Sequence, residues 1–127
     1  MFVDLCTLLD RHQIPYAILA GYEQYPEHIP SDVDFMVSAA DFERLPALFG
    51  QPDCLPGAAL VQVLLHQPTS RYFVFARQVG SRLAFLHPDA ACDYRLKSRL
   101  WLRSGKVLGS RRMSRRGFWI PAAAVEF

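Results

Sequence analysis

The chain has 127 residues, of which 51% are hydrophobic and 20% are charged. This length is typical of one domain, and the composition is that of a globular protein that buries its own core. No apolar run is long enough for a transmembrane helix and the N-terminus lacks a signal peptide, so we expect a cytoplasmic protein without membrane contact. The cysteines at positions 6, 54 and 92 lack the spacing of a disulfide framework or a zinc site.

Charge is distributed unevenly along the chain. Residues 1–94 contain 5 Lys or Arg against 11 Asp or Glu, whereas residues 95–116 contain 9 basic residues and no acidic one. We call the second segment the basic band; its cations are Arg95, Lys97, Arg99, Arg103, Lys106, Arg111, Arg112, Arg115 and Arg116. Such a band is compatible with nucleic-acid binding. Because no RNA- or DNA-binding motif accompanies it, we favour a solvated face and do not expect a nucleic-acid partner.

The first half of the chain predicts helices that alternate with strands. Apolar residues recur at helical spacing over residues 2–12, and a short apolar strand over 16–20 ends at a glycine. A loop then leads to a second strand over 33–37. The next helix has Asp41 as its expected cap and is expected to bend or shorten at Pro46.

The second half predicts three strands joined by short turns. They cover residues 60–65, 71–76 and 83–86, and Pro88 is expected to halt the last of them. Short links favour antiparallel pairing. Beyond them, Ser104 is expected to cap a helical turn. The predicted fold is therefore α/β (α+β), with a mixed, mainly antiparallel sheet of about five strands and helices on one face.

Two carboxylates at the start of the second strand carry the main chemical signal. Asp32 and Asp34 are separated by one residue, so their side chains leave the same face with Cα atoms roughly 7 Å apart. Such a pair repels unless a cation lies between its members, and oxygen ligands favour Mg²⁺ or Mn²⁺. A third carboxylate from a neighbouring strand, Asp89 or Asp93, would complete a two-metal site. The alternative interpretation is a solvated loop pair, with Gly21 serving only as a turn residue.

The order of these residues resembles a known family. Gly21-Tyr22, followed after nine residues by Asp32-Val33-Asp34-Phe35, resembles the glycine-serine and DxD signature of the DNA polymerase β-like nucleotidyltransferase superfamily. The stretch from Asp89 to Arg95, together with Phe118-Trp119-Ile120-Pro121 and Glu126-Phe127, is similar to bacterial nucleotidyltransferase-like proteins associated with polysaccharide biosynthesis.

The resemblance implies a function and a set of site residues. The implied reaction transfers NMP from an NTP, with ATP as the expected nucleotide, to a hydroxyl of a small-molecule or carbohydrate-related acceptor. Its catalytic residues and Mg²⁺ or Mn²⁺ ligands would be Asp32, Asp34 and Asp89, with Asp93 as the alternative third ligand. Nucleotide-binding residues would be Gly21, Tyr22 and Ser31.

Three features depart from the family pattern. Tyr22 stands where serine or glycine is usual, and Asp89 follows Pro88, so His87 or Asp93 could take its place. We expect a single nucleotidyltransferase-like domain over residues 1–127 that lacks the C-terminal helical region. A partner chain or that missing helical domain would then complete the acceptor site. The competing interpretation is a degenerate or truncated module of the same fold that binds a nucleotide or a protein without catalysis.

Overall fold

The computed structural model of the protein describes residues 1–96 and 99–123. This part contains helices α1 (Phe2–Arg11), α2 (Ala39–Phe49) and α3 (Ser104–Ser110). Its strands are β1 (Ala17–Ile18), β2 (Val33–Met36), β3 (Ala58–Gln67), β4 (Ser70–Val79), β5 (Arg82–Leu86), β6 (Pro88–Ala91), β7 (Asp93–Leu96), β8 (Arg99–Arg103), β9 (Arg112–Met113) and β10 (Trp119–Ile120).

Six strands form the main sheet. Their order is β1-β2-β6-β4-β3, and β5 pairs with β4. Only β2 and β6 run parallel; the other pairs in this sheet are antiparallel. The strands β7 and β8 form one separate antiparallel pair, and β9 and β10 form another. The α+β class and the mixed, mainly antiparallel sheet are confirmed, with one strand more than the sequence predicts.

The extra strand begins at the proline that was expected to end the previous one. Pro88 is the first residue of β6, where its missing N–H costs no ladder hydrogen bond. The carbonyl of His87 accepts a hydrogen bond from the Val33 N–H at 2.9 Å, which continues the pairing with β2. The strand β5 ends at Leu86, as predicted, but the chain re-enters the sheet at Pro88, so Asp89 lies inside a strand, which the sequence does not predict.

One face of the sheet is covered by α1 and α2, and we call it the closed face. Phe35, Phe73 and Phe75 are fully buried on it. The ring of Phe49 from α2 packs edge-on against those of Phe73 and Phe75, with centroids 4.7 and 5.4 Å apart. Burying each such side chain contributes about 1.5–3 kcal/mol, so this face supplies much of the core.

The other face, which we call the open face, is covered only in part. Val107 of α3 packs there against Ala17, Leu19 and Met36, so α3 covers the β1 and β2 end. The two opening helices share one face as predicted, but the expectation that all helices do so was wrong. Farther along this face Phe85 is 53% exposed.

The helix α2 differs from its predicted start and continues through its proline. Its N-cap is Ser38, whose Oγ accepts a hydrogen bond from the Asp41 N–H at 3.1 Å, so the expected cap at Asp41 was one turn too late. Pro46 has no N–H to offer the carbonyl of Phe42. The guanidinium of Arg71 donates to that carbonyl at 3.0 Å, and the helix extends beyond the proline.

The N-terminus of helix α3 is capped by a side chain of another element, Asp93 of β7. The Ser104 N–H donates to Asp93 Oδ1 at 3.1 Å, so Ser104 is the first helical residue and not the cap that the sequence predicts. No helix among the described residues has the length and apolar character needed to cross a bilayer.

Candidate active site: three carboxylates on the open face

Asp34 and Asp89 lie side by side on β2 and β6, and Asp32 precedes β2; we call Asp32, Asp34 and Asp89 the carboxylate rim. Asp34 and Asp89 are register partners in the parallel pair, so their side chains leave the same face of neighbouring strands. Asp32 lies two residues before Asp34, just ahead of β2. The structure thus places the three residues that the sequence predicts as catalytic near enough for the charges of Asp89 and Asp32 to act on Asp34; their role stays a prediction.

The rim is electrostatically strained. The pKa of Asp34 is raised from its ordinary value of 3.8 to about 6. Partial burial is the largest cause, followed by the negative charges of Asp89 and Asp32. Desolvation and like charge both favour the protonated carboxyl, and a bound cation would reverse both effects. A perturbed carboxyl pKa beside a specific charge partner is a feature that functional sites share.

Hydroxyl groups of β4 contact the rim from the side. Ser70 Oγ donates to Asp89 Oδ1 at 3.3 Å. Tyr72, which is the register partner of Asp89 on β4, donates its hydroxyl proton to Asp32 Oδ1 at 3.3 Å. The charge of Asp32 and the loss of solvent both raise the pKa of Tyr72, with desolvation the larger cause. These contacts hold two of the three carboxylates in place.

His87 completes a chain of side chains. Its Nδ1 lies 2.5 Å from the Tyr72 hydroxyl oxygen. The two groups share one hydrogen bond, in which either the Tyr72 hydroxyl or Nδ1 is the donor according to the tautomer of the imidazole. His87 thus contacts Tyr72, while Asp89 is the register partner of Asp34.

The backbone of Asp32 is fixed from the core. Tyr25 is buried, and its hydroxyl donates to the Asp32 carbonyl at 3.3 Å. Arg116 in turn donates to the carbonyl of Tyr25 at 2.8 Å. The loop that precedes the rim is thus tied both to the core and to the C-terminal part of the chain.

The alternative third ligand lies elsewhere. Asp93 begins β7 and its Oδ1 accepts the Ser104 N–H that opens α3. A carboxylate at a helix N-terminus is stabilised by the unpaired N–H groups and by the helix dipole. Asp93 therefore has a structural partner of its own, and Asp89 is the third carboxylate that the fold brings to Asp34.

The predicted nucleotide-binding residues occupy the loop between β1 and β2. Gly21 is exposed and has φ of +73°, and a Cβ built on it would meet no atom within 4 Å. The glycine is thus explained by its backbone conformation and not by a close approach within the chain. The Tyr22 ring packs edge-on against Phe118, with centroids 6.0 Å apart, so it is directed toward the core. Ser31 is exposed beside Asp32.

The side chains of the rim all offer the same kind of donor atom. The rim offers only carboxylate oxygens, the ligands that Mg²⁺ and Mn²⁺ prefer. Within residues 1–96 and 99–123, no three His, Cys, Asp or Glu side chains converge on a common point that could hold a metal ion. The donor set fits such an ion in kind, and the assignment of ligands stays a prediction.

Part of the basic band is structural. Arg111 donates to the Tyr16 carbonyl at 3.0 Å and lies over the Trp119 ring, 4.0 Å from its centroid. Arg116 pairs with Glu27 as well as with the loop carbonyl described above. Other cations of the band are exposed, namely Arg103, Lys106, Arg112 and Arg115. The interpretation of a solvated face stays a prediction for these four.

Comparison with known proteins adds no assignment. The chain matches no family model, no curated protein and no solved structure. The candidate site therefore rests on its own geometry and chemistry.

Proposed function

We propose that the protein is a metal-dependent nucleotidyltransferase that transfers NMP from an NTP to a hydroxyl of a small-molecule or carbohydrate-related acceptor. The observation that carries the proposal is the register pairing of Asp34 with Asp89 on neighbouring parallel strands, with Asp32 two residues away. Burial and the charges of Asp89 and Asp32 disfavour the charged form of Asp34, and its raised pKa reports this unfavourable free energy. A bound cation would offset this repulsion, whereas side-chain packing does not explain why the carboxylates are there.

Each residue has a stated task in this proposal. Asp34 and Asp89 would hold Mg²⁺ or Mn²⁺, and Asp32 would contribute a third carboxylate. Such ions, when bound, would activate the acceptor hydroxyl and neutralise the charge that develops on the leaving pyrophosphate. Tyr72 and His87 keep Asp32 oriented, since they form the hydrogen-bonded chain that ends on its carboxylate.

The nucleotide phosphates are proposed to lie beside the loop that contains Gly21 and Ser31. That loop is exposed at both residues and leads directly to Asp32. Tyr22 does not obstruct this space, because its ring packs against Phe118. The acceptor pocket is proposed to come from a partner chain or from a helical domain placed over the open face.

Thermal unfolding with Mg²⁺ and ATP tests binding. We expect the two together to raise the melting temperature, because a ligand at 100 times its Kd stabilises a native state by about 2.7 kcal/mol. Asp34→Asn and Asp89→Asn should remove the increase. Asp93→Asn is the matched control and should keep it, since asparagine also caps a helix. No increase with wild type, or an increase that survives Asp34→Asn, would contradict the proposal.

Turnover is tested separately by measuring pyrophosphate release from ATP with Mg²⁺ in the presence of hydroxyl-bearing acceptors. Release that depends on the acceptor and disappears in Asp89→Asn supports transfer. Nucleotide binding without release, across a broad acceptor panel, would favour the non-catalytic nucleotide-binding module instead.

A further inference from the structure

A row of aromatic side chains leads away from the carboxylate rim along the open face, and we call Tyr72, His87 and Phe85 the aromatic row. The rings of Tyr72 and His87 have centroids 5.7 Å apart, and those of His87 and Phe85 are 6.2 Å apart. Leu86, between His87 and Phe85, is buried on the closed face, so its two neighbours point to the open face.

The row starts at the rim itself. Tyr72 is the register partner of Asp89, and His87 precedes Asp89 by two residues. Alternate residues of an extended chain are roughly 7 Å apart, so His87 and Phe85 lie one and two such steps from Asp89. A ligand whose anionic end is held at the rim through Mg²⁺, and whose flat end is directed along β5, would lie over these rings.

The surface of the row is apolar and accessible. Phe85 is 53% exposed; Leu83, two residues before it, is 58% exposed, and Leu64, beside Tyr72 on β3, is 40% exposed. Leu64 is the register partner of Tyr72 and so belongs to the same face. Exposed apolar groups gathered beside polar ones are characteristic of ligand sites.

We propose that the aromatic row is the stacking surface for the base of the nucleotide whose phosphates are held at the carboxylate rim. This inference rests on the proposed function, and it names the part of the open face that the base occupies. An aromatic ring offers a π face to any base and reads no hydrogen-bonding edge. The site therefore accepts all four NTPs and binds purine nucleotides more tightly, because their larger rings cover more of the row.

The experiment compares ATP with inorganic tripolyphosphate, each with Mg²⁺, by isothermal titration. Phe85→Ala is expected to weaken ATP binding roughly tenfold, the scale of one lost base-aromatic contact. It should leave the affinity for tripolyphosphate unchanged, because that probe has no base. Phe85→Trp should restore ATP binding, while Asp34→Asn should weaken both probes.

The matched control is Leu65→Ala. Leu65 is 66% exposed on β3, and its register partner Arg71 extends to α2 on the closed face, so Leu65 lies away from the row. This variant should bind both probes as wild type does.

The outcomes separate the inference from the proposed function. If Phe85→Ala binds ATP as tightly as wild type while Asp34→Asn does not, the inference is overturned and the function stands. If wild type binds neither probe in a Mg²⁺-dependent manner, the proposed function fails and the inference with it. If Phe85→Ala changes only the oligomeric state seen by light scattering, the row is a contact between copies and the inference is overturned.

Discussion

The two faces of the sheet are built from the same strands but differ in what their side chains do. On the closed face Phe73 and Phe75 are fully buried against a ring from α2. On the open face Asp34 and Asp89 lie beside each other, and Phe85 is exposed. Strand alternation sends neighbouring residues to these opposite environments.

The difference shows which face is explained by folding alone. Burial of aromatic rings stabilises the closed face without any ligand. The carboxylates of the open face raise the free energy of the native state, which the raised pKa of Asp34 reports. Since selection for stability alone would not retain such a cluster, the open face is the one that calls for a functional explanation.

Substituting one aromatic residue on each face gives the largest expected contrast. Phe73→Ala should lower the free energy of unfolding by about 3–5 kcal/mol, because it opens a cavity against Phe49. Phe85→Ala on the open face should change it by no more than about 0.5 kcal/mol, as is usual for exposed sites. Urea unfolding followed by circular dichroism measures both. Equal losses for the two variants would show that the open face is packed in solution, and the two faces would then not differ in burial.

Removing a matched polar contact should have a smaller, still destabilising effect. Arg71→Met keeps the stem of the side chain but leaves the Phe42 carbonyl, which Pro46 cannot satisfy, without its donor. The same change removes the ion pair with Glu43 and the contact of the guanidinium with the Phe42 ring. We expect a loss of about 1–3 kcal/mol in urea unfolding. Arg44→Met, which removes an exposed ion pair with Asp41 and an exposed 3.5 Å contact to the His12 carbonyl, is the control and should cost at most about 0.5 kcal/mol. If the two losses agree, the guanidinium does not support the helix at its proline.

Much of the fold could be predicted because its signals are local. The helix α1, the strand β2 and the hairpin of β3 and β4 follow from hydrophobic period and turn residues, and they appear within a few residues of the predicted bounds. The strand β6 could not be predicted this way. Its four residues pair with β2 and β4, which are distant in sequence, and Pro88 is a local signal against a strand.

The candidate site likewise has some features that follow from local sequence and others that depend on contacts distant in sequence. Asp32 and Asp34 are visible as a pair one residue apart, but the choice between Asp89 and Asp93 depends on which strand lies beside β2. Tyr72 was missed, since a tyrosine within an apolar strand looks like core. Because Tyr72 is next to the apolar Phe73 in the strand, the two side chains are expected on opposite faces. Only the order of strands in the sheet shows that the Tyr72 hydroxyl reaches Asp32.

The smallest expected effect is the pH dependence of stability that Asp34 causes. Unlike the two substitutions above, removing this side chain should stabilise the metal-free protein. In the metal-free protein the pKa of Asp34 is about 6 in the folded state against 3.8 for the unfolded chain, so the folded state binds more protons between these values. Stability should therefore fall as the pH rises from about 4 to about 7. Because the partly buried Asp34 side chain still contacts solvent, screening reduces the change to roughly 0.5–1 kcal/mol.

Asp34→Asn removes the titrating group, so it should flatten this part of the stability profile and make the metal-free protein slightly more stable than wild type at pH 7. Asp89→Asn removes the charge that adds most to the effect of burial, so it should reduce the slope without abolishing it. Chemical unfolding in the presence of a chelator, at pH 4, 5, 6 and 7, gives the profile. A slope in Asp34→Asn as steep as in wild type would mean that the open face carries no stored carboxylate repulsion, and the contrast between the two faces would then lie in burial alone.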